Sequence, residues 1–125
     1  METDFSGIRN NGKLPEVSLL EVPEDIGDLL VDYIESTQSG LDELESAALA
    51  YEESKDRQEN GAKIRRILHK LKGEAGVVGI DAVNDFCHQA ESAFEELSEN
   101  ERCDMLLRFK DWVSGAIENI SNQAV

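Results

Sequence analysis

The stretch ILHKLKGEAGVVGI, residues 67–80, contains the pattern that organises the whole chain. Its apolar residues recur at spacings of three and four, which predicts a helix with one buried side. The apolar pattern begins three residues before this stretch and consists of Ile64, Ile67, Leu68, Leu71, Ala75 and Val78. Gly79 is typical of a helix end and Asp81 can cap a new helix. The stretch therefore predicts a helix, a tight turn and a second helix that returns alongside the first.

The longest predicted helix precedes this stretch. From Leu30 to Tyr51, apolar or small residues follow alternating steps of four and three without a break in phase. Pro23 suits the first turn of this helix, and the acidic pair at 24–25 suits its N-terminus. Gly40 is a weak point, but the unbroken register favours one continuous helix.

Two further apolar stripes predict the remaining helices. They cover residues 83–97 and residues 105–120. The polar stretches SKDRQENG (54–61) and SENER (98–102) are typical of turns, and no segment has the alternation of a strand. The chain is therefore predicted to be all-α, with four helices joined by short connections.

Short connections place consecutive helices side by side in opposite directions. We predict an antiparallel four-helix bundle (up-down-up-down) over residues 23–125, with one shared core. Residues 1–22 are predicted to form a flexible N-terminal extension. Within it, VSLLEV (17–22) has enough apolar surface to lie against the bundle.

The charge balance restricts the kinds of partner. The formal net charge is −15, from 12 basic and 27 acidic residues, which disfavours binding to nucleic acid or to an anionic membrane surface. Residues 59–76 differ from the rest, because five basic residues there accompany only two acidic ones. This basic segment is either an ordinary solvated helix face or an anion site.

Several classes of function lack their sequence signals. The polar N-terminus has no secretory pattern, so we expect a cytoplasmic protein with Cys87 and Cys103 reduced. The two cysteines do not have the spacing of a zinc site, and no apolar run is long enough to span a membrane. There is no P-loop or glycine-rich nucleotide loop. We therefore expect no metal or nucleotide cofactor and no kinase activity of its own.

One exposed stripe of the second helix collects the candidate functional residues. Residues three, four and seven apart share a helix face, and the stripe contains Arg65, Arg66, His69, Lys72, Gly73 and Gly76. Glycine is about 1 kcal/mol less favourable than alanine inside a helix, so we predict that the two glycines clear an approach to His69. The alternative, that Gly76 and Gly79 only loosen the helix end, leaves Gly73 unexplained.

The predicted hairpin supplies a partner for His69. A turn near Ile80 places His69, eleven residues before it, beside Glu91, eleven residues after it. His88 lies on the same stripe as Glu91 and is a second candidate; the plainer alternative for Glu91 is a solvated surface carboxylate. A neutral imidazole whose N–H is held by an acceptor can attack phosphorus with its other nitrogen.

This set of groups is typical of a reversible phosphoryl carrier. Lys72, with Lys70 and Arg66 as further candidates, could offset the charge of the phosphoryl oxygens.

The motif resembles that of the histidine phosphotransfer (HPt) domain of two-component phosphorelays. The family pattern H-x-L-K-G-x-A followed by a glycine is matched by His69, Leu71, Lys72, Gly73, Ala75 and Gly79, and the likeness covers residues 25–122. It implies that His69 exchanges a phosphoryl group with a response-regulator receiver domain or a hybrid histidine kinase. In the family, the position of Glu91 often carries a glutamate or glutamine that hydrogen-bonds the imidazole. The pair of His88 and Glu91 looks more like the version in chemotaxis histidine kinases.

The resemblance also implies how the partner meets the chain. The receiver would bring its aspartate and its magnesium to a docking surface formed by Arg65, Arg66, Lys70, Gly73 and Gly76. We expect a free-standing monomeric carrier. Three alternatives remain: a docking module that inhibits a receiver or kinase without carrying phosphate, a structural bundle with an accidental motif, and a hydrolase that uses His69 and Glu91. The last lacks a convincing nucleophile.

Overall fold

The computed structural model describes residues 4–17, 20, 22–23 and 26–123, and in these residues all regular structure is helical. The four long helices are α1 (Gly27–Glu52), α2 (Arg57–Val78), α3 (Asp81–Glu96) and α4 (Glu99–Gln123), and a short 3₁₀ helix (Ser6–Arg9) precedes them. The predicted all-α four-helix bundle is confirmed. None of the helices in the described ranges combines the length and apolarity that crossing a bilayer requires.

The ends of α2 have clear local causes. Asp56 precedes the helix, and its side chain accepts a hydrogen bond from the backbone N–H of Glu59 at 3.2 Å. Gly79 ends the helix with φ of 81°, a left-handed conformation that glycine adopts without strain. Asp81 is the first residue of α3 rather than its cap, a position that Ile80 occupies. The predicted turn between α2 and α3 thus needs only residues 79 and 80.

The start of α1 differs from the expectation. The helix begins at Gly27, after Ile26. The acidic pair at 24–25, predicted to lie in the first turn, falls outside the described residues. Gly40 is buried inside α1, where a Cβ would lie 2.9 Å from Cδ2 of Leu71. Its lack of a side chain therefore allows α1 and α2 to approach closely, and the helix continues through it as predicted.

Neighbouring helices run in opposite directions. Contacts between them join a residue in the first half of one helix to a residue in the second half of the other. Such pairs are Ser36–Glu74 between α1 and α2, Arg65–Glu95 between α2 and α3, and Glu52–Cys103 between α1 and α4. This pairing sets the register that positions the candidate site on α2 and α3.

The N-terminal segment adds to the core of the bundle. Phe5 is 1% exposed, stacks on Phe86 with ring centroids 4.5 Å apart and meets Trp112 edge to face. Arg108 of α4 donates hydrogen bonds to the carbonyl oxygens of Gly7 and Gly12, at 3.2 and 2.5 Å. The described residues 4–17 therefore lie against α3 and α4, unlike the flexible extension predicted for residues 1–22.

The physical reason is that Phe5 is a single aromatic in a polar stretch, which carries no periodic signal. Within VSLLEV, Leu20 is also buried, whereas residues 18, 19 and 21 lie outside the described residues. A domain boundary between residues 22 and 23 stays a prediction.

Candidate functional site

His69 lies on the outer side of α2, opposite the apolar stripe that builds the core. Leu68 and Leu71 are buried, whereas the side chain of His69 is 75% exposed. Its Nδ1 atom lies 3.6 Å from Oε2 of Glu91 on α3, which is longer than a hydrogen bond. Nδ1 therefore faces α3, and because three quarters of the side chain is exposed, the ring is accessible to another molecule.

Glu91 is held in place by a second group of α2. Its Oε1 atom lies 2.7 Å from Nζ of Lys72, and both side chains are about three quarters buried. One carboxylate therefore faces an imidazole with one oxygen and an ammonium group with the other. The antiparallel register brings Glu91 to His69, as the hairpin geometry predicts, and helical spacing brings Lys72 to the same carboxylate.

Gly73 and Gly76 have different structural reasons. A Cβ at Gly73 would have no heavy atom within 4 Å, so nothing in the described fold requires glycine there. A Cβ at Gly76 would lie 3.2 Å from Nδ2 of Asn84, which donates a hydrogen bond of 2.9 Å to the carbonyl oxygen of Lys72. The packing of α2 on α3 accounts for Gly76, while Gly73 leaves an open surface beside His69.

Arg65 is engaged within the bundle. Its guanidinium group makes two hydrogen bonds to the carboxylate of Glu95, at 2.5 and 3.1 Å, and lies over the ring of Phe94, 5.2 Å from its centroid. Hydrogen bonding between the two groups lowers the pKa of Glu95 and raises the pKa of Arg65. The positive charge of Arg65 is therefore largely offset, unlike the charges of the exposed Arg66 and Lys70.

His88 is exposed on α3. Within the described part of the chain, its side chain has no hydrogen bond or ion pair. The described ranges also contain no cluster of three or more His, Cys, Asp or Glu residues suited to a metal ion. The contacts around His69 thus involve Glu91 and Lys72.

A groove next to His69 has no counterpart in the sequence-based predictions. It has a volume of about 550 Å³ and lies between the first half of α1 and the last half of α2. Its lining consists of Leu29, Asp32, Tyr33, Ser36, His69, Lys70, Gly73, Glu74, Val77 and Val78. Leu29 and Val77 are 54% and 81% exposed. The available sequence signal was that these two large apolar residues fall outside the core stripes of their helices.

Comparison with known families gives one result. The family model of the Hpt domain matches residues 28–122, about three quarters of the chain. No curated protein and no solved structure gives a match. The matched region contains α2 and α3 with the exposed imidazole, the carboxylate and the lysine described above. The chain therefore belongs to the Hpt domain family, whose members are phosphoryl carriers, and has a phosphotransfer role in two-component signalling.

Proposed function

We propose that His69 accepts a phosphoryl group from an aspartyl phosphate of a receiver domain and returns it to a receiver aspartate. The observation that carries this proposal is the position of the imidazole: Nδ1 faces Glu91 on a side chain that is 75% exposed, which leaves Nε2 for the partner. An exposed helix face suits transfer between two proteins, because the partner must bring its own reacting group to the nitrogen.

The transfer step requires a neutral imidazole with its proton on Nδ1. The lone pair of Nε2 attacks phosphorus, a nitrogen–phosphorus bond forms, and the bond from phosphorus to the aspartate oxygen breaks. The carboxylate leaves with the electron pair, and the Nδ1 proton stays on a ring that is now positively charged. The reverse reaction restores the aspartyl phosphate, so no oxidant, nucleotide or water is consumed.

Glu91 and Lys72 suit the two charges that meet in this step, the positive charge of the ring and the negative charge of the phosphoryl group. The carboxylate of Glu91, 3.6 Å from Nδ1, offsets the positive charge of the ring and accepts the Nδ1 proton in a hydrogen bond when the two close up. Lys72, now 2.7 Å from Glu91, can turn towards the phosphoryl oxygens. Glu91 thus stabilises the ring charge that the step creates, and Lys72 stabilises the charge that the phosphoryl group brings.

The partner surface is the second part of the proposal. We infer that the receiver covers the open surface at Gly73, while Arg66 and Lys70 remain exposed to meet acidic groups near its aspartate. Magnesium would arrive with the receiver and offset charge on the phosphoryl group. Positioning of the two reacting groups then accounts for most of the rate.

The chain offers a sharp test because it contains only two histidines, His69 and His88. Wild type, His69→Gln and His88→Gln would each be mixed with a panel of phosphorylated receiver domains, and acid-labile label on the chain would be measured. We expect label on wild type and on His88→Gln and none on His69→Gln. Circular dichroism and receiver binding would show that each variant is folded and docks.

Two results would contradict the proposal. Label that persists in His69→Gln but disappears in His88→Gln would move the acceptor to α3. No label on any form, with receiver binding intact, would show a docking module that carries no phosphate.

A further inference from the structure

The groove beside His69 has an apolar rim and a polar floor. Leu29 of α1 and Val77 of α2 are exposed on the rim, although large apolar side chains are favoured inside the core. Exposed apolar surface next to a reactive group is typical of an interaction site. The apolar rim does not specify which chemical group binds there, whereas the polar groups of the floor do.

One oxygen on the floor, Oε1 of Glu74, is buried without a hydrogen-bond partner among the described residues. The hydroxyl groups of Tyr33 and Thr37, one helical turn apart on α1, lie next to each other. Tyr33 is only 4% exposed, and burial raises the pKa of its hydroxyl, which therefore stays protonated. The other carboxylate oxygen of Glu74 accepts a hydrogen bond from Ser36 at 2.5 Å. A buried carboxylate oxygen without a donor is costly, so this floor favours a ligand that donates.

The charges around the groove indicate the sign of that ligand. Asp32 and Glu74 are the acidic residues of the lining, and Lys70 and His69 are its basic residues. Lys70 is one helical turn before Glu74, yet the described ion pairs do not include this pair. Glu74 instead turns towards Ser36, which leaves the Lys70 ammonium group in solvent. The groove thus combines apolar walls with a carboxylate whose charge is not paired.

We propose that this groove binds a lysine or arginine side chain that projects from the docked receiver domain, an inference that rests on the proposed function. The aliphatic stem of such a residue packs against Leu29 and Val77, and its cationic head pairs with Glu74. The terminal bond of a glutamate rotates easily, so the half-buried carboxylate can turn to meet the head group. Glu74 then selects which receivers dock.

The position of the groove relates this contact to phosphoryl transfer. Glu74 follows His69 by five residues, which corresponds to about 7.5 Å along the helix axis. A cation held at Glu74 therefore places the surrounding receiver surface over Gly73 and next to Nε2. A receiver with an apolar or acidic residue at that point leaves Glu74 unpaired and is rejected.

The first test compares Glu74→Gln with Glu118→Gln, the same change at an exposed carboxylate of α4. Binding of the receiver that exchanges phosphoryl groups most rapidly would be measured by calorimetry at low and high salt. We expect Glu74→Gln to weaken binding at least tenfold at low salt and less at high salt, with Glu118→Gln within twofold of wild type. Lysines and arginines of the receiver would then be replaced singly by methionine. One replacement should weaken binding to wild type and have no further effect on Glu74→Gln.

The outcomes separate this inference from the proposed function. If label reaches His69 but Glu74→Gln binds within twofold of wild type, the inference is overturned and the phosphoryl carrier stands. If no receiver binds, titration with N-butylguanidinium, monitored by amide chemical shifts, decides the question. Saturable shifts at Gly73 and Val77 that neutral N-butylurea does not cause, and that Glu74→Gln abolishes, would support the cation site. Equal shifts with both compounds, or none, would refute it.

Discussion

The bundle has two apolar grooves, of which one is covered by the chain and the other is open. The groove between α3 and α4 is filled by the chain itself, since Phe5 packs on both Phe86 and Trp112. The groove between α1 and α2 is left open, with Leu29 and Val77 exposed on its rim. The open groove is the one that adjoins His69. By the docking proposal, the covered groove contributes to stability and the open groove receives the partner.

The two grooves also differ in whether their polar groups have hydrogen-bond partners. Along the covered groove, Trp112 donates a 2.7 Å hydrogen bond to the carbonyl oxygen of Pro15, and Asn119 donates one of 2.7 Å to that of Val17. In the open groove, Oε1 of Glu74 is buried without a hydrogen-bond partner among the described residues. By the proposal above, another molecule completes the open groove, since buried polar groups are normally hydrogen-bonded.

The largest expected effect is on the covered groove. Replacing Phe5 with alanine removes a fully buried ring, and we expect it to lower the free energy of unfolding by about 3–5 kcal/mol. Chemical denaturation followed by circular dichroism measures this change. Phosphoryl transfer by the folded fraction should be unchanged, since Phe5 packs on α3 and α4 away from His69. A loss below about 1 kcal/mol would mean that the segment contributes little to the core.

A substitution in the open groove should weaken receiver binding and leave the free energy of unfolding nearly unchanged. We expect Val77→Ser to change the free energy of unfolding by no more than about 0.5 kcal/mol. Receiver binding should weaken by about 1–2 kcal/mol, because the removed methyl groups no longer become buried on docking. Val31→Ser is a matched control, since Val31 is also exposed on the bundle but does not line the groove. Equal effects of the two variants on binding would exclude this groove from the interface.

Gly73 separates stability from docking at a single position. Gly73→Ala should raise the free energy of unfolding by up to about 1 kcal/mol, because alanine favours the helix and its Cβ meets no heavy atom within 4 Å. Gly73→Leu should keep the fold and weaken receiver binding, since its side chain occupies the surface beside His69. Denaturation and calorimetry on the same samples measure both effects. Tighter receiver binding by Gly73→Leu would contradict the open-approach interpretation.

The smallest expected effect concerns Arg65 and Glu95, an ion pair about half exposed on each side. A double-mutant cycle should give a coupling of about 0.2–1 kcal/mol at pH 7, and less at high salt. The pKa of Glu95 is lowered in the folded state, so this contribution is complete above the ordinary glutamate pKa of about 4.3. It is lost as the pH falls through the lowered value. Coupling that grew on acidification would contradict the pairing.

Local sequence patterns determine much of this protein. Helical periodicity predicts four helices, and Gly79 predicts the turn from α2 to α3. Because that turn is short, residue counting alone places Glu91 opposite His69, and the structure puts their side chains 3.6 Å apart. These features depend on neighbours in the sequence or on a hairpin with a single register, which is why the sequence by itself is sufficient to predict them.

Only the tertiary structure decides the rest. Phe5 inserts next to Trp112, more than a hundred residues away, and an isolated aromatic has no period that could predict this contact. Gly76 is equivalent to Gly73 in the helical pattern, but the fold packs Asn84 against Gly76 alone. The groove is formed by Leu29 and Val77 from two helices, and its unpaired carboxylate depends on the rotamer of Glu74. Such features arise from the packing of distant segments, which local spacing does not encode.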